Sequence, residues 1–187
     1  IKGVGGNAVA TIVETRDDGK YKSVFDLAKR IDLRAANKKA FEGLALAGGF
    51  DGFDTHRAQY LHPDEKGVLF IEKVLRYASK FQESQNSDQL DIFGGGSEVQ
   101  IPEPEVPPCE EWGTLKKLKQ EKEVVGIYIS GHPLDDFKTE INRFCNCTAS
   151  DFNNLENFIN REMCFGGMVG DVQHRETKMG KGWALFI

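Results

Sequence analysis

Apolar residues recur at helical intervals along most of this chain and change rhythm only near its end. Ala8, Ile12 and Thr15 share one face of a predicted helix that follows a glycine-rich hairpin and closes at Asp18-Gly19. Ser23, with Asp26 three residues on, offers a capping-box-like start to a short helix, Val24 to Arg30, whose Val24, Leu27, Ala28 and Ile31 form an apolar stripe. Asp32 is placed to cap a third helix with Ala36, Ala40, Phe41, Leu44 and Ala47 facing inward and Gly48-Gly49 as its stop. Pro63 suits the first turn of another, in which Val68, Ile71, Val74, Leu75, Ala78 and Phe81 recur at three- and four-residue steps as far as about Gln82.

Farther on, Leu115, Leu118, Val125 and Ile129 are spaced for one more helix, although the run Val124 to Ile129 reads equally well as a strand. Gly131-His132-Pro133 breaks it, and Pro133 opens a helix through Phe137, Ile141 and Phe144. Phe165, Met168, Val169 and Val172, and then Trp183 to Ile187, read as two strands joined by the basic, glycine-containing hairpin Lys178 to Gly182. Two strands make no stable domain, so they read as the opening of a small barrel with an unpaired edge. The fold class is mainly α with a small β part.

Between these halves lies Gln82 to Glu111, without a Lys or Arg and with eight acids, three consecutive glycines (Gly94, Gly95, Gly96) and four prolines (Pro102, Pro104, Pro107, Pro108). Such a segment buries too little apolar surface to offset the entropy of ordering it, and is expected to be a tether. Inside it sit Gln89, Leu90, Asp91, Ile92 and Phe93. Exposed apolar residues on a tether suit a partner's groove. The other reading is that Ile92 and Phe93 pin a wandering loop onto the adjacent domain. A Gln followed by spaced aliphatic and aromatic residues resembles the pentapeptide by which bacterial replication proteins hang on the sliding clamp.

Composition sharpens this division. At 187 residues the chain has room for one or two small domains. The net charge of −5 is segregated: residues 1–50 carry nine basic groups against six acids, while Gln82 to Glu111 is purely acidic. A basic amino end can thus face a polyanion while the tether avoids it. Cys109, Cys145, Cys147 and Cys164 show no C-x-x-C spacing and no histidines placed to complete a zinc site, which fits a reduced, cytoplasmic protein. No signal peptide or membrane-length apolar run is present. The chain opens on Ile1 rather than Met and stops in the middle of its last predicted strand, as a piece of something larger would.

Candidate chemistry centres on the amino end, Ile1-Lys2-Gly3-Val4-Gly5-Gly6-Asn7-Ala8, with its apolar-x-Gly-apolar-Gly core. Gly3 and Gly5 can take turn conformations closed to other residues, and the turn feeds a helix whose first amides are unpaired. Those amides, with the helix dipole and Lys2, can grip a phosphate oxygen. Lys2, Gly3, Val4, Gly5, Gly6 and Asn7 are therefore the candidate DNA-backbone contacts, and such contacts carry no base sequence. An ordinary Gly-rich turn is the competing reading. A phosphate loop of the G-K-[ST] type is excluded, because no Lys-Ser or Lys-Thr follows the glycines. His56, His62, His132 and His174 lack metal spacing, and Asp17-Asp18 and Asp135-Asp136 are pairs in sequence only. No nucleophile with a matching base is evident, so no catalytic residue is assigned.

Taken in order, these features resemble the carboxy-terminal part of the alpha-subunit family of bacterial DNA polymerase III. Ile1 to Ala10 is similar to the second half of a helix-hairpin-helix, continued by Phe25-Asp26-Leu27 and by Asn37-Lys38-Lys39 through Ala47-Gly48-Gly49-Phe50-Asp51. Gln89 to Phe93 resembles the clamp motif, with Ile92 where the family often has Leu. Glu121 to Leu134 is similar to the segment that precedes the family's OB domain, and Phe165 to Ile187 to that domain's first strands. The implied organisation is a helix-hairpin-helix region at 1–54, connecting helices at 55–82, an acidic linker at 83–111 with the clamp motif at 89–93, a helical segment at 112–160, and a truncated OB domain at 161–187.

The resemblance implies a parent DNA-directed DNA polymerase using Mg²⁺, with its catalytic aspartates in a palm upstream of Ile1 and no cofactor in this stretch. It implies DNA, the sliding clamp (the beta subunit) and other replisome subunits as partners, with no membrane. In the barrel, Lys178, Lys181, Trp183 and Phe186 are candidates for single-strand binding, although Trp183 or Phe186 could be core instead. A non-catalytic adaptor linking clamp to DNA, and a helix-hairpin-helix repair enzyme, are the alternatives.

Overall fold

Seven α-helices and one β-hairpin are present among the described residues, 1–88 and 101–186 of a computed structural model: α1 Gly6–Arg16, α2 Val24–Arg30, α3 Lys38–Leu46, α4 Arg57–Tyr60, α5 Phe70–Asp88, α6 Thr114–Val125, α7 Lys138–Phe144, β1 Val172–Glu176 and β2 Gly182–Phe186. They form two units, Ile1–Ser130 and Gly131–Ile187.

The first unit is built around aromatic rings. Phe25 meets Phe70 and Tyr77 edge-on at 5.9 and 5.7 Å, and Tyr60 meets Phe50 at 5.3 Å. Phe41, Ile71, Val74 and Ala78 complete the core, all fully buried, so α2, α3 and α5 share one apolar interior. The α2 start is as predicted: the Ser23 hydroxyl accepts from the Asp26 amide at 3.1 Å, while the Asp26 carboxylate accepts from the Lys22 amide at 2.9 Å. Losing such a cap costs about 1 kcal/mol.

Two boundaries and one short helix differ from expectation. The cap of α3 is Asn37, whose side-chain oxygen accepts from the Ala40 amide at 3.2 Å, and not Asp32. Asp32 instead closes the preceding turn, accepting from the Arg34 amide at 2.8 Å and leaving that turn separate from the helix. Pro63 does not open α5: it bridges to Leu69 across a turn closed by Asp64, and the helix starts at Phe70. The one-turn helix α4 went unpredicted, being too short to show a period.

Both described ends of the segment expected to be a tether pack on the first unit. Residues 82–88 continue α5, and the Gln82 side-chain amide is donated among the carbonyls of Ala28, Lys29 and Ile31 at 2.8–3.3 Å, covering the open end of α2. Beyond residue 100 the proline-rich part lies against the same unit. Ile101 packs on the core, Glu103 accepts from Lys29 at 2.9 Å, and the Pro107 and Cys109 carbonyls accept from Gln59 and His56 at 3.0 and 3.2 Å. Composition alone concealed these contacts, because each is made to a distant part of the chain. Gln89, Leu90, Asp91, Ile92 and Phe93 lie outside the described residues.

Helix α6 ends at Gly126 in the left-handed region (φ +95°), which settles Val124-Val125 as helix. It belongs to the first unit, Ile1–Ser130. Its Glu121 is fully buried, as is Arg57 of α4 but for 4% of its surface. Glu121 accepts from the Arg57 guanidinium at 2.7 Å and from the Ile129 and Ser130 amides at 2.9 and 3.0 Å. Arg57 also holds Asp51 through Nε at 2.8 Å and Nη2 at 2.5 Å.

Burial by itself would raise the Glu121 pKa, but the Ser130 and Ile129 amides and Arg57 outweigh it and hold the carboxyl at about 2 instead of the ordinary 4.5. A depressed carboxylate stabilises the fold fully above its unfolded pKa, and that contribution is lost as pH falls through its folded one. Unfolding followed by circular dichroism should therefore show about 3 kcal/mol vanishing between about pH 4.5 and pH 2. Stability unchanged across that window would contradict the burial of an ionised Glu121.

In the second unit the 3₁₀ turn Asp135–Phe137 runs into α7, so the break after Pro133 is followed by helix as expected. The strands start later than the apolar run suggested: Phe165, Met168 and Val169 precede β1 and are exposed. β1 and β2 pair antiparallel, with Arg175 opposite Trp183 and Gln173 opposite Leu185, around a turn whose Gly180 has φ +73°. Among the described residues this two-stranded sheet is not closed into a barrel.

Candidate nucleic-acid interface

The amino-terminal hairpin is held from two sides. The Lys2 amide donates to the Val124 carbonyl of α6 at 2.7 Å, and the Val4 amide to the Ile1 carbonyl at 3.2 Å, closing a tight turn. Beneath it runs α3. A Cβ on Gly43 would stand 2.7 Å from the Lys2 carbonyl oxygen and 3.4 Å from the Val4 side chain, so only a glycine lets the hairpin settle on the helix. Glycine inside a helix costs about 1 kcal/mol relative to alanine, and this close approach is its reason. That mid-helix glycine is the signal by which α3 could have been identified as the hairpin's seat.

The glycines divide their work. Gly3 has φ +84°, a conformation that suits glycine, and its Cα faces the Lys39 side chain so closely that a Cβ would lie 2.8 Å from the Lys39 Cγ. Gly5 has φ −80° and ψ 163°, open to any residue, so the expected conformational need is absent there. Its contribution is bareness. A Cβ on Gly5 or Gly6 would meet nothing within 4 Å, and as N-cap Gly5 leaves the first turn of α1 without a side-chain cap.

No acid stands in that first turn. Lys2, Gly3, Gly5, Gly6 and Asn7 are exposed around it and Val4 is half-buried, so the six predicted residues do gather at one place. Lys39, which sequence reasoning did not select, joins them through its packing on Gly3.

Lys38 and Lys39 occupy the first turn of α3, where positive charge runs against the helix dipole. Lys38 is neutralised by Glu72 at 2.9 Å and Glu42 at 3.6 Å; its pKa is raised chiefly by the Glu72 hydrogen bond. Lys39 is exposed beside the hairpin. The site thus combines an uncapped helix terminus with lysines and no neighbouring first-turn acid. That is the chemistry of a phosphate grip, able to hold a backbone oxygen but not to read a base.

The second unit places the other candidates on its β-hairpin. Lys178 and Lys181 are exposed in the turn, and Trp183 is 45% exposed with the Arg175 guanidinium 5.6 Å from its ring centroid. Phe186 lies on the opposite face of the sheet from Trp183, because residues three apart on a strand point to opposite sides. The two rings therefore cannot stack bases on one surface. Arg175, on the Trp183 side, was missed for want of a register in the sequence.

Among the described residues no three His, Cys, Asp or Glu side chains are grouped to hold a metal ion, and no helix is long and apolar enough to cross a membrane.

Residues 1–60 match the helix-hairpin-helix motif family. The chain is similar to DNA polymerase III subunit alpha of Vibrio cholerae, 33% identical over 156 residues, covering 81% of this chain and 13% of that protein. It is 33% identical to the Campylobacter jejuni subunit over 188 residues, covering 97% of this chain and 14% of the relative. With the Escherichia coli K12 subunit it shares 31% identity over 146 residues, covering 77% of this chain and 12% of the relative. The chain thus spans about an eighth of the length of these relatives.

Proposed function

We propose that this chain is a carboxy-terminal stretch of a bacterial DNA polymerase III alpha subunit, where it grips duplex DNA by the backbone and fastens the enzyme to its sliding clamp. The observation that carries the reading is the hairpin on α3: an uncapped helix terminus flanked by Lys2 and Lys39, in the segment that matches the helix-hairpin-helix motif. Lys2 and the amides of Gly5, Gly6 and Asn7 would meet one or two phosphate oxygens. Templated nucleotidyl transfer and its Mg²⁺ would belong to palm carboxylates elsewhere in the parent enzyme, in the cytoplasm, and this stretch supplies attachment to its replisome partners rather than chemistry.

In this reading Gln89 supplies amide hydrogen bonds to the clamp, and Leu90, Ile92 and Phe93 fill an apolar cleft. Each fully buried side chain is worth about 1.5–3 kcal/mol, against an ordering and association cost of comparable size. The contact alone would be on the order of micromolar, and tethering would raise its effective concentration. Calorimetric titration of the chain into a bacterial clamp should give binding that Gln89→Ala with Phe93→Ala abolishes. An unchanged titration by the double variant would remove clamp attachment from the proposal and leave the DNA grip standing. Lys178, Lys181 and Trp183, joined by Arg175, are the surface proposed to guide single-stranded template.

A further inference from the structure

Three of the four cysteines, which the sequence leaves scattered, meet in the second unit. Residues 145–147, just past α7, lie beside residues 162–164. The Asn146 amide donates to the Cys164 carbonyl at 2.9 Å, the Cys164 amide to the Asn146 side-chain oxygen at 2.8 Å, and the Asn146 side-chain amide to the Glu162 carbonyl at 3.0 Å. This clasp seats Cys145 beside the segment that carries Cys164, whose Gly166 lies against the Cys145 sulfur. The Cys147 thiol points at the Cys164 carbonyl, 3.5 Å away. Gly166 lies under the pair, where a Cβ would stand 3.2 Å from the Cys145 sulfur.

Exposure orders their reactivity. Cys164 is exposed, Cys145 half-buried and Cys147 buried. Burial, and next the neighbouring Cys164, push the Cys145 thiol above its ordinary value. Cys164 is thus the sulfur an external reagent meets, and Cys145 the one placed to resolve the product.

We propose that Cys145 and Cys164 form a reversible disulfide that locks the crossing of residues 145–147 and 162–164, making the second unit responsive to low-molecular-weight disulfides. The Cys164 thiolate attacks one sulfur of the oxidised reagent, expelling one thiolate and forming a mixed disulfide. Cys145 then gives its proton to solvent and attacks the Cys164 sulfur, expelling the second thiolate. Two protein thiols lose two electrons and the reagent's disulfide gains them, so the step balances and runs backward in excess thiol. The bond closes a loop of about 20 residues that includes the 3₁₀ segment Ala149–Phe158.

The test uses the whole chain equilibrated in glutathione buffers of rising disulfide fraction, then trapped in acid, unfolded and assayed for free thiols and linked peptides. Two of the four thiols should disappear together, and mass mapping should find Cys145 joined to Cys164. Cys147→Ser should retain the pair, whereas Cys145→Ser should leave glutathione on Cys164. A link from Cys164 to Cys147, glutathione adducts without an internal bond, or four free thiols at the most oxidising ratio would each overturn the proposal. The wild-type mapping stands whether or not a serine variant folds.

Discussion

Glu121→Ala is expected to destabilise the first unit by about 3–5 kcal/mol. Three donors converge on this carboxylate: the Arg57 guanidinium and the amides of Ile129 and Ser130. Removing it leaves those amides without their acceptor and Arg57, 96% buried, with only the half-exposed Asp51 and a long 3.5 Å contact to the Leu46 carbonyl. Charge deletion at the surface does far less; the Lys38–Glu72 pair, 49% and 22% exposed, is screened by solvent. Glu121→Gln keeps an acceptor oxygen in the same place and should recover part of the loss. Urea unfolding of the two variants measures this as a fall in midpoint at constant slope, larger for alanine. A loss below about 1 kcal/mol for alanine would show that the buried pair contributes no more than an exposed one.

The second large effect is on binding, and it comes from adding one methyl group. Gly43→Ala improves the helix propensity of α3 by about 1 kcal/mol, so the helix itself should hold. Its Cβ, however, would lie 2.7 Å from the Lys2 carbonyl oxygen, which is backbone and cannot swing aside. The hairpin must lift, straining the 2.7 Å bond from Lys2 to Val124 and moving the α1 terminus away from Lys39. Duplex affinity, measured by fluorescence anisotropy, should fall about tenfold, equivalent to about 1.4 kcal/mol, with the helical circular dichroism unchanged. Wild-type affinity in Gly43→Ala would mean that the hairpin's seat on α3 does not matter to DNA.

How much of this was legible in the chain depended on the range of each interaction. Local signals read correctly: Ser23 with Asp26, the glycine hairpin, and the three- and four-residue stripe of α5 all act within one or two turns. Asp32 and Asn37 are both capping residues, and only the turn between them decides which one faces an open helix end. Pro63 was misplaced for a similar reason, since a proline fits a turn before a helix as well as the helix itself.

Non-local pairings were invisible. Gln82 covers the end of α2, Glu103 reaches Lys29, and Glu121 finds Arg57 across 64 residues. Within the candidate site the six hairpin residues were readable from spacing. Lys39 was not, because its role exists only once α3 lies under the hairpin, and the mid-helix Gly43 signals a close approach without saying to what.

A hairpin that holds DNA by its phosphates must grip any duplex alike. The most direct test is anisotropy titration of the chain against two duplexes of equal length and unrelated sequence over a series of salt concentrations. A backbone grip predicts equal affinities for both, falling together along one log–log line whose slope is about −0.9 per phosphate neutralised, shallower by about one such step in Lys2→Ala. A strong preference for one duplex, or an affinity indifferent to salt, would contradict it.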